Sequence, residues 1–235
     1  MGVKMSAEAI SGQRVALIYS GQTPHDSNGE ITAMKQTCQS LGYDVIKVEY
    51  RARLRDFIDI LEYNRPDIAL NLCRAHPSFP RIDIAIAGIL DLLKIPFTGQ
   101  DPLTLSFVCD THRVLKYLAA NRVPLCQEAL SDEPQVTLAL LGNGSPRVLS
   151  SANGDTTRKK MKEIALKAYS LLGLRDYALF HFSTGGNCTP RLSGLSPNPE
   201  LSPRSYFVQC AEASGLPYPA LIDEIITYAL HRARR

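Results

Sequence analysis

Two Cys-x-x-His pairs have the clearest metal-ligand spacing in this sequence. The first comprises Cys73 and His76, and the second comprises Cys109 and His112. Two thiolates and two imidazoles can bind Zn²⁺ tetrahedrally, so the four side chains form one candidate zinc site. The apolar pattern around Cys109 favours another interpretation, in which this cysteine is a buried free thiol within a helix. The choice depends on whether the fold brings both pairs to the same edge of a sheet.

A second group of polar residues follows two apolar runs of strand length. His25 and Asp26 lie in a Gly- and Pro-punctuated loop after the first run, Asn71 lies near the end of the run at 68–72, and His76 follows that run. Open α/β sheets bind ligands at the carboxyl ends of their strands, so these four residues form a candidate ligand-binding site. The alternatives are a loop whose polar residues only cap the following helix, and a polar rim without a ligand.

The elements that must position these residues have the pattern of a parallel α/β domain. Strands are predicted at 14–19, 44–49, 68–72 and 95–99, and helices near 30–41, 54–62 and 82–93 and from Pro102 onward. A strand, a helix and a second strand within one stretch imply a right-handed crossover between parallel strands. The sequence therefore predicts a Rossmann-like domain over residues 14–126.

The second half has a different alternation and predicts a smaller α+β domain over residues 129–235. Two apolar strands flank the glycine-rich turn at 142–144 and predict a hairpin. The remaining predicted elements are a helix at 161–172, a strand at 177–182, a mostly irregular stretch at 183–203, and helices at 206–213 and 219–232.

Composition excludes several classes of function. The net charge is +3, from 26 basic and 23 acidic residues spread along the chain, which is not the pattern of a nucleic-acid-binding protein. No apolar run approaches the roughly 20 residues of a membrane span, and residues 1–13 lack a signal-peptide core. The six cysteines have no framework spacing. These features predict a soluble cytoplasmic protein without disulfides and with no nucleic-acid or membrane partner.

Several motifs give the sequence a family resemblance. The segments IPFTG at 95–99, DPLTL at 101–105, VTLALLGNG at 136–144 and SPNPELSP at 196–203 resemble motifs of the D-alanine–D-alanine ligase-like branch of the ATP-grasp superfamily. The resemblance covers nearly the whole chain and implies a pre-ATP-grasp domain followed by a reduced remnant of the ATP-grasp domain. In the resembled ligases the first loop helps to hold an amino-acid substrate, so the implied ligand is amino-acid-like.

The departures from the resembled pattern concern ATP and metal. The family has a whole lid subdomain between the segments that match Pro124 and Val136, where this chain has eleven residues. The family positions of an Arg, an Asp, a Glu and an Asn are occupied here, in that order, by Leu179, His181, Gly194 and Ser196. None of these side chains is a carboxylate, whereas Mg²⁺ requires hard oxygen ligands. No ATP or Mg²⁺ cofactor is therefore expected.

The sequence thus predicts a non-catalytic ligase-like protein, or pseudoenzyme, that binds a protein partner or a small ligand. The alternatives are an ATP-dependent carboxylate–amine ligase that works within a split or heteromeric enzyme, and a zinc-binding protein. Without a lid, an apolar face of the second sheet is expected to be uncovered, with Leu138, Leu140, Leu179 and Phe180 on it. Large uncovered apolar patches mark interfaces, so we expect a homodimer or a heteromeric partner.

Overall fold

The computed structural model describes residues 12–20, 29–51, 53–77, 79–126, 135–149, 156–184 and 190–233. The chain divides into two compact units. Unit 1 comprises Met1–Thr98, Glu200–Arg204 and Tyr218–Arg235, and unit 2 comprises Gly99–Pro199 and Ser205–Pro217. The domain boundary predicted near residue 127 falls inside unit 2, because the helical residues Val114 and Leu118 pack into the core of that unit.

The chain contributes strands and helices to both units. The strands are β1 (Arg14–Ser20), β2 (Asp44–Tyr50), β3 (Ile68–Asn71), β4 (Gln135–Leu141), β5 (Arg147–Leu149), β6 (Tyr177–Ser183) and β7 (Arg191–Ser196). The helices are α1 (Glu30–Ser40), α2 (Leu54–Asn64), α3 (Ile82–Leu92), α4 (Pro102–Val108), α5 (Thr111–Ala120), α6 (Thr156–Leu171), α7 (Tyr206–Ala213) and α8 (Tyr218–Ala233). None of the helices within the described ranges has the length and apolar character of a membrane span.

Unit 1 is built on a parallel sheet of order β2-β1-β3, as the sequence predicts. The continuous apolar run of β1 is fully buried, which is typical of a strand with both faces covered. The segment predicted as a strand at 95–99 forms only a single bridge, between Phe97 and Ala69. Pro96 lacks an N–H donor, so it contributes only its carbonyl, which accepts a hydrogen bond of 2.8 Å from the Ala69 N–H.

The region predicted as one helix from Pro102 contains two helices, α4 and α5. Asp101 caps α4 by accepting a hydrogen bond from the Thr104 N–H, and Asp110 caps α5 by accepting one from the Arg113 N–H. The second cap begins a new helix and changes the direction of the side chains around it. Cys109 is therefore exposed rather than buried within a helix, so that interpretation was wrong.

Unit 2 contains an antiparallel sheet of order β5-β4-β6-β7, with the predicted hairpin formed by β4 and β5. Strand β7 lies in the stretch predicted to be mostly irregular. A register shift opposite His181 and Phe182 interrupts the pairing of β6 with β7. Because such a bulge breaks the two-residue alternation of apolar side chains, β7 has no regular strand pattern in the sequence.

The apolar sheet face predicted to be uncovered is covered in the structure. Leu138, Leu140, Leu179 and Phe180 are all buried. Leu138, Leu140 and Phe180 belong to a core that includes residues of α5 and α6. Leu179 points to the opposite face, where α7 packs against the sheet. The prediction of an exposed face was wrong, because α5, α6 and α7 cover the two sides of the sheet.

Candidate functional site

Asn71 ends β3 at the carboxyl edge of the parallel sheet in unit 1, and only 3% of it is exposed. Its backbone N–H donates to Thr98 Oγ1 over 3.3 Å, and its side-chain oxygen accepts from the Cys73 N–H over 3.2 Å. His76 is half-buried in a turn in which its backbone exchanges hydrogen bonds with Phe79. The other two predicted ligand-binding residues, His25 and Asp26, lie outside the described residues.

An ion pair at the same edge was missed by the sequence analysis. Glu30, in the first turn of α1, is buried, and both of its carboxylate oxygens accept from the guanidinium of Arg74. The same carboxylate accepts a hydrogen bond of 2.7 Å from the Leu201 N–H. This pair links α1, the loop after β3 and the segment 200–204 of unit 1. Glu30 and Arg74 are 44 residues apart, so no local sequence pattern connects them.

The four side chains of the candidate zinc site do not form a metal-binding group. Cys73 is buried, and burial raises the pKa of its thiol to about 12, so it is protonated at neutral pH. Cys109 and His112 are exposed on the surface. Within the ranges that the structure describes, no three His, Cys, Asp or Glu side chains are grouped closely enough to hold a metal ion. The zinc interpretation therefore has no support in the structure.

The DPLTL motif and the glycine before it belong to a dense set of hydrogen bonds in unit 2. The Gly99 N–H donates to Asp176 Oδ2 over 2.8 Å, and Arg175 Nε donates to the Gly99 carbonyl over 2.7 Å. Gly99 has a φ of +86°, a conformation that side chains rarely adopt. Asp176 is fully buried and also accepts from Asn143 Nδ2 over 3.1 Å. We call the six residues Gly99, Gln100, Asp101, Asn143, Arg175 and Asp176 the Gly99 network.

Gln100 supplies the remaining contacts of the Gly99 network. Its amide nitrogen lies 2.8, 3.0 and 3.1 Å from the carbonyl oxygens of Arg175, Tyr177 and Pro197. Its amide oxygen accepts from the Arg175 N–H over 2.8 Å. Gln100 thus joins the turn after residue 99 to one end of the β6–β7 pair, where β6 begins and β7 ends. The role of this side chain is structural.

The four residues predicted to depart from the family pattern lie together on the antiparallel sheet. Leu179 pairs directly with Ser196, and His181 pairs directly with Gly194. The family resemblance gives Leu179 and His181 from one motif, and Gly194 and Ser196 from another. The structure thus brings the four positions together as cross-strand neighbours, and we call them the cross-strand site.

His181 is the central polar group of the cross-strand site. Its Nδ1 lies 3.0 Å from Thr137 Oγ1, and its Nε2 lies 3.2 Å from Ser196 Oγ. Burial lowers the pKa of His181, so the ring is neutral at physiological pH and accepts one hydrogen bond while it donates the other. The arrangement is a neutral chain of hydroxyl, imidazole and hydroxyl. It provides a proton acceptor, but it offers no carboxylate to a magnesium ion.

The described residues on either side of the segment 127–134 lie on or beside this sheet. The Leu192 N–H donates to the Pro124 carbonyl, and the Cys126 N–H donates to the Leu192 carbonyl, each over 2.9 Å. Pro124–Cys126 therefore runs beside β7, and the next described residue, Gln135, begins β4. The residues that flank 127–134 are thus held by the same sheet.

The comparisons with known sequences match this chain to D-alanine–D-alanine ligases. A family model described as the D-ala D-ala ligase C-terminus matches residues 143–227. The D-alanine–D-alanine ligase of Moorella thermoacetica is 27% identical over 292 aligned positions, which cover 85% of this chain and 93% of the ligase. That of Agrobacterium fabrum is 31% identical over 123 positions, which cover 51% of this chain and 37% of the ligase. The 292-position alignment is longer than this chain of 235 residues, so part of the Moorella ligase has no counterpart here.

Solved structures show the same fold. The D-alanine–D-alanine ligase of Coxiella burnetii matches with a TM-score of 0.75 at 15% identity, covering 94% of this chain and 96% of that one. The enzyme of Bacillus anthracis, solved in complex with ATP, matches with a TM-score of 0.74 at 14% identity, covering 95% and 99%. Sequence matches, motifs and fold together support a relationship of this chain to the D-alanine–D-alanine ligase-like branch of the ATP-grasp superfamily.

Proposed function

We propose that this protein is a ligase-like homologue that does not ligate amino acids and instead works by binding a small ligand or a protein partner. The observation that carries the proposal is the cross-strand site. The pairs His181–Gly194 and Leu179–Ser196 contain one neutral imidazole and one hydroxyl and no carboxylate. Mg²⁺ bridges phosphates through hard, anionic oxygen ligands, so this site lacks the chemistry that ATP-dependent ligation needs.

The short linker supports the proposal independently. Eleven residues separate Pro124 from Val136, and eleven residues are too few to form a sheet-and-helix lid. Without that lid, one wall of a nucleotide site is missing. The longer Moorella alignment is consistent with an insertion in the ligase that this chain does not have. No ATP or Mg²⁺ cofactor is therefore proposed.

The carboxyl edge of the parallel sheet is the proposed ligand site. Asn71 and His76 lie there, and His25 and Asp26, which are outside the described residues, come between β1 and α1 in the sequence. We propose an amino-acid-like ligand, since such a ligand combines an ammonium and a carboxylate that these polar groups can bind.

We further propose a cytoplasmic location. Because the apolar sheet face of unit 2 is covered by helices, we do not propose a protein partner at that surface.

A ligation assay tests the proposal directly. The purified protein is mixed with ATP, Mg²⁺ and D-alanine, and ADP release is compared with the release in the absence of D-alanine. The Moorella thermoacetica ligase is measured in parallel as a positive control. We expect no D-alanine-dependent ADP release and no heat of Mg-ATP binding in calorimetry. Release that depends on D-alanine would contradict the proposal and make the chain an ATP-dependent carboxylate–amine ligase.

A designed variant tests whether the cross-strand site is where the metal ligands would lie. The triple variant His181→Asp, Gly194→Glu, Ser196→Asn introduces two carboxylates. The position of a Gly194 Cβ is 3.7 Å from His181 Cδ2, an ordinary contact distance, so a side chain fits there. The matched control is His181→Asn, Gly194→Gln, Ser196→Asn, which has the same shape without charge. We expect the carboxylate variant to bind Mg²⁺ at least about tenfold more tightly, and equal binding would contradict the assignment.

A further inference from the structure

The cross-strand site contains a hydroxyl and an imidazole within hydrogen-bond distance of each other. Ser196 Oγ lies 3.2 Å from His181 Nε2, and the other ring nitrogen, Nδ1, lies 3.0 Å from Thr137 Oγ1. Nucleophilic sites in hydrolases share this arrangement, in which a base contacts the nucleophile and a third group orients the base. Ser196 and His181 belong to different strands, so the sequence contains no local motif for the pair.

The surroundings of the pair leave room for a small apolar group. Gly194 pairs directly with His181. Among the described atoms outside its own chain neighbours, only His181 Cδ2 lies within 4 Å of the position of a Gly194 Cβ, at 3.7 Å. The buried Leu179 lies directly opposite Ser196 and forms an apolar wall beside the hydroxyl. Ser196 and His181 are themselves half-buried, so a substrate can reach both.

We propose that Ser196 and His181 are the nucleophile and the general base of an esterase site that hydrolyses esters of small apolar acyl groups. Thr137 is a positioning residue, since it accepts a hydrogen bond from Nδ1–H and leaves the lone pair of Nε2 directed at Ser196. The partner of the imidazole is a hydroxyl and not a carboxylate, so it stabilises the protonated ring only weakly. We therefore expect hydrolysis of esters with good leaving groups and no hydrolysis of amides.

The proposed reaction has two steps and needs no partner other than water. Ser196 Oγ attacks the acyl carbon while its proton passes to His181 Nε2, and the alkoxide leaves as an alcohol by taking that proton. The acyl group remains on Ser196 as an ester. Water then attacks the acyl carbon and gives a proton to Nε2. This proton returns to Ser196 Oγ as the carboxylic acid leaves, so the net change is an ester plus water to an acid plus an alcohol.

His181 is in the protonation state that this reaction requires. Burial lowers its pKa below 6.5, so the ring accepts a proton at pH 7. Burial raises the pKa of both Tyr206, whose hydroxyl donates to the Thr137 carbonyl, and Cys210 on the same helix, so neither ionises near pH 7. The guanidinium of Arg158 near these two side chains does not titrate. Turnover should therefore rise to a plateau by about pH 7, whereas hydrolysis by hydroxide keeps rising.

A fluorophosphonate probe and p-nitrophenyl acetate test the site on the full chain. The probe phosphonylates activated serines with loss of fluoride, so mass spectrometry of the labelled wild type should locate an adduct on Ser196. Turnover of p-nitrophenyl acetate should fall by about 100-fold in Ser196→Ala and in His181→Gln. Ser193→Ala is the matched control, because Ser193 lies on the same strand and its Oγ has no hydrogen-bond partner among the described residues. The control should keep both the adduct and the turnover.

Two substitutions of Thr137 separate positioning from packing. Thr137→Val keeps the shape without the hydroxyl and should lower turnover by about fivefold, the effect of one neutral hydrogen bond. Thr137→Ser keeps the hydroxyl and should retain the wild-type turnover, although it removes a methyl group. A Thr137→Ser variant that loses as much turnover as Thr137→Val would contradict the positioning role.

Three further outcomes would overturn the inference. They are a wild-type chain without an adduct, an adduct confined to another residue, and a Ser196→Ala variant that hydrolyses the ester as fast as the wild type. The adduct is located on the wild-type chain, so this measurement does not depend on the folding of a variant, and circular dichroism checks each variant. Turnover requires neither ATP nor D-alanine, so the inference does not rest on the proposed function.

Discussion

The Gly99 network and the cross-strand site lie in the same unit, the network around the start of β6 and the site on β6 and β7, but their polar groups have different partners. Gly99 and Asp101 belong to the segments that resemble family motifs, and the side chains of the network bind backbone groups of several segments. The hydrogen bonds of the cross-strand site join side chains to side chains. The fold is therefore expected to depend more on the network than on the cross-strand site.

The physical difference is burial and the kind of hydrogen-bond partner. Asp176 is a fully buried carboxylate whose oxygens receive the Gly99 N–H and the Asn143 amide. His181 is half-buried, and its two nitrogens contact side-chain hydroxyls that can rotate towards water. Removing the acceptor of a buried backbone donor costs far more folding free energy than removing the partner of a side-chain hydroxyl that can rotate towards water. The cross-strand site can therefore change its chemistry with little loss of stability.

Asp176→Asn should have the largest effect on stability, a loss of about 3 kcal/mol in the free energy of unfolding. One acceptor oxygen becomes an NH₂ group that faces a donor. Asn tolerates the left-handed φ of 58° at this position, so the loss reflects the lost carboxylate and not backbone strain. Urea unfolding measures the change, with Glu212→Gln as an exposed control. A loss below about 1 kcal/mol would remove the contrast between the two regions.

Gln100→Ala should cost about 2 kcal/mol, because it removes the hydrogen bonds that Gln100 makes with the Arg175 N–H and with the carbonyl oxygens of Arg175 and Tyr177. The expected loss is smaller than for Asp176, since no charge is involved. Gln39→Ala on the exposed surface of α1 is the matched control and should stay within about 0.5 kcal/mol of the wild type. Equal effects of the two substitutions in urea unfolding would show that the network contributes little.

His181→Gln should change the pH dependence of stability more than its value at pH 7. Burial lowers the pKa of His181 below the ordinary value of 6.5, so the unfolded chain binds a proton first as the pH falls. The wild type is therefore destabilised between pH 6.5 and the lower pKa of the folded state, by less than about 1 kcal/mol for a half-buried ring. The variant lacks this contribution.

Urea midpoints at pH 7 and pH 5 measure this effect. The wild type should lose more stability between the two pH values than His181→Gln does. A variant that loses as much as the wild type would indicate that the ring is equally easy to protonate in the folded and unfolded chain. The cross-strand site would then be more open to water than its hydrogen bonds suggest.

The elements with strong periodicity were predictable from the sequence. The buried run of β1 and the helices α1, α3 and α6 have unambiguous patterns, and the alternation of strands and helices predicts that the sheet of unit 1 is parallel. The motif matches gave the four positions of the cross-strand site one by one, and their pairing across β6 and β7 came only from the structure. Periodicity and motifs therefore account for most of the fold.

The remaining features depend on contacts that no local pattern encodes. The bulge opposite His181 concealed β7, and the cap at Asp110 divided a helix that appeared continuous. The apolar face of α6 was identified, but its periodicity does not specify the surface that it covers. The pair of Glu30 and Arg74 joins residues far apart in the chain. Each of these features is decided by tertiary packing.

Asp101→Asn should have the smallest effect, a loss of about 0.5 kcal/mol at pH 7. Burial alone raises the pKa of Asp101, but hydrogen bonds from Thr104 and the charge of Arg175 outweigh it, so the pKa lies below its ordinary value. The ionised carboxylate therefore stabilises the folded chain above the unfolded pKa near 3.8, and this contribution is lost as the pH falls through the lower folded pKa. Asn keeps the cap of α4 without the charge.

The difference between wild type and Asp101→Asn should consequently shrink as the pH is lowered from 7 to 3. Asp110→Asn is the matched control, because Asp110 caps α5 in the same way at a more exposed position. A difference that grows on acidification would mean that the carboxylate is destabilised by burial more than Thr104 and Arg175 stabilise it. In that case the charges of the Gly99 network would oppose folding, and the motif would have to be retained for a reason other than stability.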